Sequence, residues 1–216
     1  MKEEKILQEV ATYVEQRLSG EGSGQDWWHI VRVQQMAEKL ALAEGGDSFI
    51  CQLAALVHDL VDDKLVADEG LALAEVRGLL TRAGVAADQT DQVLTIIQAI
   101  SYKGGSQNHL VLSLDAQIVQ DADRLDAIGA IGIARTMAYS GYHGRAIHDP
   151  EVAARQNMTL EQYRSHQGTA IIHFYEKLLL LKDLMNTKTA KDLAKGRHAF
   201  LEAYLEQFYA EWEGKA

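Results

Sequence analysis

Proline occurs once in these 216 residues, at Pro150, and no segment alternates apolar and polar residues over the length of a strand between turn signals. Such a chain buries its apolar side chains by packing helix on helix, so the expected fold class is all-α. Hydrophobic residues make up 47% of the sequence, enough for one large domain over residues 1–216 rather than two small ones.

Breakers and caps divide the chain. An amphipathic helix, MKEEKILQEVATYVEQRL, ends at Leu18-Ser19-Gly20. Asp26 is placed to cap a helix from about Trp27 to Glu44, which Gly45-Gly46 stops, and Asp47 or Ser48 caps the next. In that third helix Ile50, Leu53, Ala54, Val57 and Val61 mark the buried face. A shorter helix from Leu71 to Arg82 breaks at Gly84, and another from about Asp88 runs to Lys103-Gly104-Gly105. Leu110 to Gly141 holds a further helical stretch containing DADRLD. YSGYHGRAIHDPEVAARQNMT is richest in breakers and reads as a lid or substrate loop. Long helices are expected over Leu160–Leu184 and Thr189–Glu213.

One polar doublet breaks the apolar pattern. His58-Asp59 follows Leu53-Ala54-Ala55-Leu56-Val57 and precedes Leu60-Val61, with Asp62-Asp63 next. Burying an ionised carboxylate costs several kcal/mol without a compensating charge, which points to a bound cation. His29, on the second helix and three residues before Arg32, and Asp121 or Asp123, near DADRLD, offer further ligands. Imidazoles with carboxylates suit a borderline divalent metal such as Mn, Fe, Co or Zn better than Ca, which prefers an all-oxygen shell.

The order His29, His58-Asp59, Asp123, with the strings LAALVHDLVDDK and IVQDADRLDAIGAIG, resembles the HD superfamily of metal-dependent phosphohydrolases over roughly Trp28 to Gly141. The resemblance implies an HD core at about residues 26–141 and a C-terminal helical extension at about 150–216. It implies His29, His58, Asp59 and Asp123 as metal ligands, because the family's aspartate directly follows the alanine of ADRL, and leaves Asp121 as a supporting or capping residue. HDLVDD looks like the segment of guanosine tetraphosphate hydrolases in which the acidic pair orients the attacking water, here Asp62 and Asp63. ISYKGG, GYHGRAIHDP and HFYEKLL are similar to stand-alone bacterial HD proteins that include nucleotide pyrophosphohydrolases.

These readings imply one divalent ion, manganese first, with Fe, Co, Ni, Zn or Mg as alternatives, and a small phosphorylated substrate. The leading activity is cleavage of a nucleoside triphosphate to a monophosphate and pyrophosphate. Phosphoryl transfer is catalysed mainly by positioning and charge neutralisation, so Arg32, Lys103, Arg145 and Lys177 are the expected phosphate contacts. Two other functions compete. A di-iron HD oxygenase needs extra histidines between the doublet and the last aspartate, where only His109 lies, and a non-catalytic nucleotide sensor has no need of Asp62-Asp63.

A net charge of −10 argues against a polynucleotide partner. With no signal-peptide or membrane-length apolar run, a cytoplasmic protein away from membranes is expected, and the apolar C-terminal helices offer a homodimer surface. Cys51 among Phe49, Ile50 and Leu53 reads as a buried hydrophobe. Trp27-Trp28 reads as a packing anchor, and His143 and His148, in the breaker-rich segment, as groups within reach of substrate.

Overall fold

The computed structural model describes residues 2–18, 26–61, 68–100, 111–155 and 168–216, and contains no strand among them. The protein is all-α. Described residues up to Asp123 form one compact unit, and those from Arg124 onward form a second.

The first unit is organised around a short helix that is apolar on nearly every side. Helices α1 (Lys2–Leu18), α2 (Trp27–Glu44) and α3 (Ser48–Val57) come first in the chain, followed by a 3-10 turn over His58–Val61. Every residue of α3 from Phe49 to Val57 except Gln52 is buried, as expected of a helix without a polar face. It packs against α1, α2 and α5 (Ala87–Ile100), while α4 (Glu69–Arg82) covers α5 and the 3-10 turn. At roughly 1.5–3 kcal/mol for each large apolar side chain withdrawn from water, Ile50, Leu53, Leu56 and Val57 make α3 the best-anchored platform in this unit.

Local chemistry sets its ends. Asp26 accepts the His29 amide at the start of α2, and Gly45, at φ 80°, closes that helix with its amide on the Ala41 carbonyl. Asp47 accepts the amides of Phe49 and Ile50 to begin α3. One expectation needs amendment: α3 does not continue through the doublet. The α-helix stops at Val57 and the backbone tightens at His58, whose ring hydrogen-bonds the Ala55 carbonyl. That carbonyl lies in the last turn, where oxygens run short of intrahelical donors.

Helix α6 (Leu114–Asp126) buries Ile118, Val119, Ala122 and Leu125. This is the helical stretch expected between Leu110 and Gly141, and it ends at Asp126. Gly129, at φ 77°, starts α7 (Gly129–Tyr142), and a side chain there would be strained in that conformation and crowd Arg197. Arg135 pairs with the buried carboxylate of Asp126 at 3.0 Å, and Arg197 donates to the Leu125 carbonyl.

In the second unit α7 packs against α8 (Ala170–Glu176) and α9 (Lys188–Trp212). The continuous helix expected up to Leu184 is interrupted at Lys177, and Leu178–Leu184 forms a 3-10 segment. Four consecutive leucines would point all round an α-helix. With three residues per turn, Leu178 and Leu181 share one face and are buried, while Leu180, off that face, stays exposed. The part of that stretch before Gly168 lies outside the described residues. Among the described residues no helix is long and apolar enough to cross a membrane.

Trp28 corrects the packing-anchor reading for that residue. It is 64% exposed, because burial of His29 and Ile30 turns the Trp28 position of α2 outward.

Candidate metal centre

Three elements bring four polar side chains together. His29 comes from the first turns of α2, His58 and Asp59 from the 3-10 turn after α3, and Asp123 from the third turn of α6. One donor atom each from His29, His58 and Asp59 lies within 4.8 Å of the others. His29 Nε2 is 3.5 Å from Asp59 Oδ2 and 3.5 Å from Asp123 Oδ1, and His58 Nε2 is 3.2 Å from Asp59 Oδ1 and 3.9 Å from Asp123 Oδ1. The two imidazoles meet edge to face with centroids 5.4 Å apart.

These spacings fit an ion. Nitrogen and oxygen ligands held at about 2.1 Å from one centre stand roughly 3.0 Å apart at octahedral angles and 3.4 Å apart at tetrahedral ones. The tautomer also fits. His58 Nδ1 lies 2.7 Å from the Ala55 carbonyl, an oxygen that can only accept, so Nδ1 carries the proton and Nε2 presents its lone pair to the carboxylates. Asp59 Oδ2 is buried and makes no hydrogen bond among the described residues, a costly state for a carboxylate oxygen unless a cation shares the space. Two imidazoles and two carboxylates form a donor set for a borderline divalent metal.

Burial divides the site. The side chains of His29, His58 and Asp59 are 1%, 8% and 5% exposed, whereas Asp123 is 45% exposed. Three donors are thus sheltered, and the Asp123 side chain is the one exposed to solvent.

The other sequence-derived residues fall as follows. Asp62, Asp63, Lys64 and Lys103 lie outside the described residues. Arg32 is half-buried on α2, one turn beyond His29. Arg145 and Lys177 belong to the second unit, where Arg145 stacks its guanidinium 5.4 Å from the Tyr139 ring centre and Lys177 closes α8. Asp121 is fully buried. His148 meets the rings of Phe208, Tyr209 and Trp212 edge-on at centroid distances of 5.7, 5.4 and 4.8 Å. Cys51 is a buried free thiol, and burial, then the charge and hydrogen bond of Asp115, push its pKa up, which disfavours a nucleophile.

Sequence reading overlooked Asp115 and Asp126, each of which accepts from partners distant in the chain. Neither stands out by composition, since both look like ordinary helix-end carboxylates. The spacing DxxxxxDxDxxD across α6 was the available signal.

The HD domain profile matches residues 27–128, which takes in all four clustered side chains. YpgQ of Bacillus subtilis is 39% identical over 215 residues, covering 99% of this chain and 97% of that protein. Its crystal structure in complex with ADP superposes with a TM-score of 0.78 at 36% identity, covering 97% of this chain and all of that one. A structure from Lactobacillus plantarum matches with a TM-score of 0.86 and 44% identity over 98% of both chains. An HD-superfamily hydrolase from Bacillus thuringiensis matches at 0.77 and 41% over 99% of both. With this similarity running the length of the chain and the profile spanning the clustered histidines and aspartates, the protein belongs to the HD superfamily.

Proposed function

We propose that this protein is a metal-dependent phosphohydrolase acting on small nucleotides, and that it cleaves a nucleoside triphosphate to the monophosphate and pyrophosphate. The observation that carries the reading is the convergence of His29, His58, Asp59 and Asp123 at ligand spacing around the buried Asp59 oxygen. The nucleotide preference draws support from YpgQ, a relative along the full chain that was crystallised with ADP.

When bound, one divalent ion, manganese first, supplies Lewis acidity that acidifies water and polarises a phosphoryl oxygen. Within the chain, His58 is held in the ligating tautomer by Ala55, and the burial of His29 and Asp59 keeps water from competing on that side. Asp62 or Asp63 accepts the proton of the attacking water as its oxygen bonds to the α-phosphorus and the α–β bridging bond breaks, releasing pyrophosphate. Arg32 and Lys103 offset phosphate charge. The assignment of Arg145 and Lys177 to phosphate rests on the sequence alone.

The test is release of phosphate and pyrophosphate from nucleoside mono-, di- and triphosphates with Mn, Co, Ni and Mg. Pyrophosphate released from a triphosphate is the expected result. Binding without any release would overturn hydrolysis in favour of a sensor, and oxygen uptake by an iron-loaded sample would favour an oxygenase. Asp62→Ala and Asp63→Ala are expected to retain the ion while the residue that takes the proton loses about 100-fold to 10,000-fold in turnover. Loss of metal from both would collapse the division between ligands and base.

A further inference from the structure

We propose that Asp115 is a positioning residue for the metal centre: its carboxylate straps the first turn of α6 to the start of α3, and so sets how far Asp123 stands from His58 and Asp59. The inference rests on the reading of those residues as metal ligands.

Asp115 accepts from three places. Its Oδ1 takes the Asp47 amide at 2.9 Å and lies 3.6 Å from the Cys51 thiol, and its Oδ2 takes the Gln92 amide at 2.9 Å. The donors come from the junction before α3, from α3 itself and from α5. An acidic residue in a helix's first turn is ordinarily explained by the helix dipole, which needs none of these partners. Next to the strap the chains approach closely. A Cβ on Gly46 would stand 2.5 Å from Ile118 Cδ1 and 2.8 Å from Asp115 Oδ1, and Ile118 is fully buried.

The strap and the ligands occupy opposite ends of the same helix pair. Asp115 meets α3 at its beginning, whereas Asp123 approaches His58 just past its end, so the two helices run in the same direction. At 1.5 Å per residue Asp123 lies about 12 Å beyond Asp115, and a tilt of about 5° at the strap moves it by about 1 Å. That displacement is half of a metal–oxygen bond of about 2.1 Å. Asp47 is also the residue that caps α3, so a single residue links the start of the helix that leads into the doublet to the helix that carries Asp123.

Calorimetric titration of the full chain with Mn2+ tests the proposal. Wild type is expected to bind at one site and Asp59→Ala to lose it; if wild type takes up no ion, or Asp59→Ala binds like wild type, the metal reading falls and the strap with it. Given wild-type binding, Asp115→Ala is expected to keep its helical circular dichroism below its melting temperature and bind at least about tenfold more weakly, within the range for residues that orient ligands. Asp115→Asn should recover to within about threefold, because the amide oxygen still accepts from Asp47 and Gln92 can turn its own oxygen toward the new NH2. Gly46→Ala, which leaves every polar group in place and wedges the same contact, should also bind at least about tenfold more weakly. A lower melting temperature with unchanged Mn2+ affinity in Asp115→Ala would reduce Asp115 to a stabilising contact. An Asn variant as weak as the Ala variant would show that charge, not geometry, is at work, and would equally overturn the strap. Should Asp115→Ala fail to fold, Gly46→Ala decides: weakened binding supports the strap, and unchanged binding overturns it.

Discussion

His58 and His148 are the same residue in opposite surroundings. His58 follows an apolar helix, gives its Nδ1 proton to a carbonyl 2.7 Å away and faces the carboxylates of Asp59 and Asp123 with its other nitrogen. His148 lies in the irregular stretch after α7 and sets its ring against the edges of Phe208, Tyr209 and Trp212. In the first setting the neighbours present lone pairs and negative charge, so the imidazole can act as a ligand. In the second they present ring faces and edges, so it acts as a packing element. A histidine's role is set by the chemistry of the side chains around it, and those come from other parts of the chain.

Substitution separates the two most sharply at the metal. His58→Ala is expected to weaken Mn2+ binding by more than about 100-fold, beyond the range for residues that merely orient ligands, while His148→Ala leaves it unchanged. Equal losses in a calorimetric titration would erase the contrast. Next in size is the packing of His148. Each aromatic contact contributes about 0.5–1.5 kcal/mol beyond burial and the ring makes three, so His148→Ala should cost about 1.5–4.5 kcal/mol, read as a lower denaturation midpoint. No change in the midpoint would mean that the ring cluster does not hold this stretch.

The smallest effect concerns charge at the far end of the same stretch. Arg155 binds Glu176 through its backbone amide, Nε and a terminal nitrogen at 2.8–3.0 Å. Burial pushes the Glu176 pKa up, but the hydrogen bonds and charge of Arg155 outweigh it and hold the carboxyl below its usual range. The stability from this depressed pKa is fully present above about pH 4.3, the ordinary glutamate value, and is lost as pH falls through the lowered folded value. Glu176→Gln should therefore cost about 1–2 kcal/mol at neutral pH, and the gap from wild type should close in acid. A gap that stays constant down to acid unfolding would assign this anchor to shape rather than charge.

Much of the helical layout was legible because its signals are local. Asp26 and Asp47 cap the helices that follow them, Gly45 takes the left-handed conformation that ends α2, and the apolar run before His58 is a buried helix. The His58-Asp59 doublet could be singled out because a carboxylate in an apolar run needs a compensating charge, whereas the choice of His29 and Asp123 as its partners came from the resemblance to the HD superfamily. The breaks at Val57, Gly129 and Lys177 were not legible, since each depends on what the next residues pack against. The exposure of Trp28 and the seat of His148 escaped for the same reason. Asp115 and Asp126 escaped because a carboxylate near a helix end looks alike whether it faces solvent or distant donors.

By itself, then, the amino-acid order determined that this protein is helical, where α2 and α3 begin, and that the His58-Asp59 doublet calls for a cation, because capping, periodicity and donor chemistry act over a few residues. The tertiary structure decided the rest. Only packing could bring Asp123 within 3.5 Å of His29, turn the His58 lone pair toward Asp59 and seat Asp115 among donors from α3 and α5. Distances between residues remote in sequence are set by how buried surfaces fit together, and local sequence does not encode that fit residue by residue.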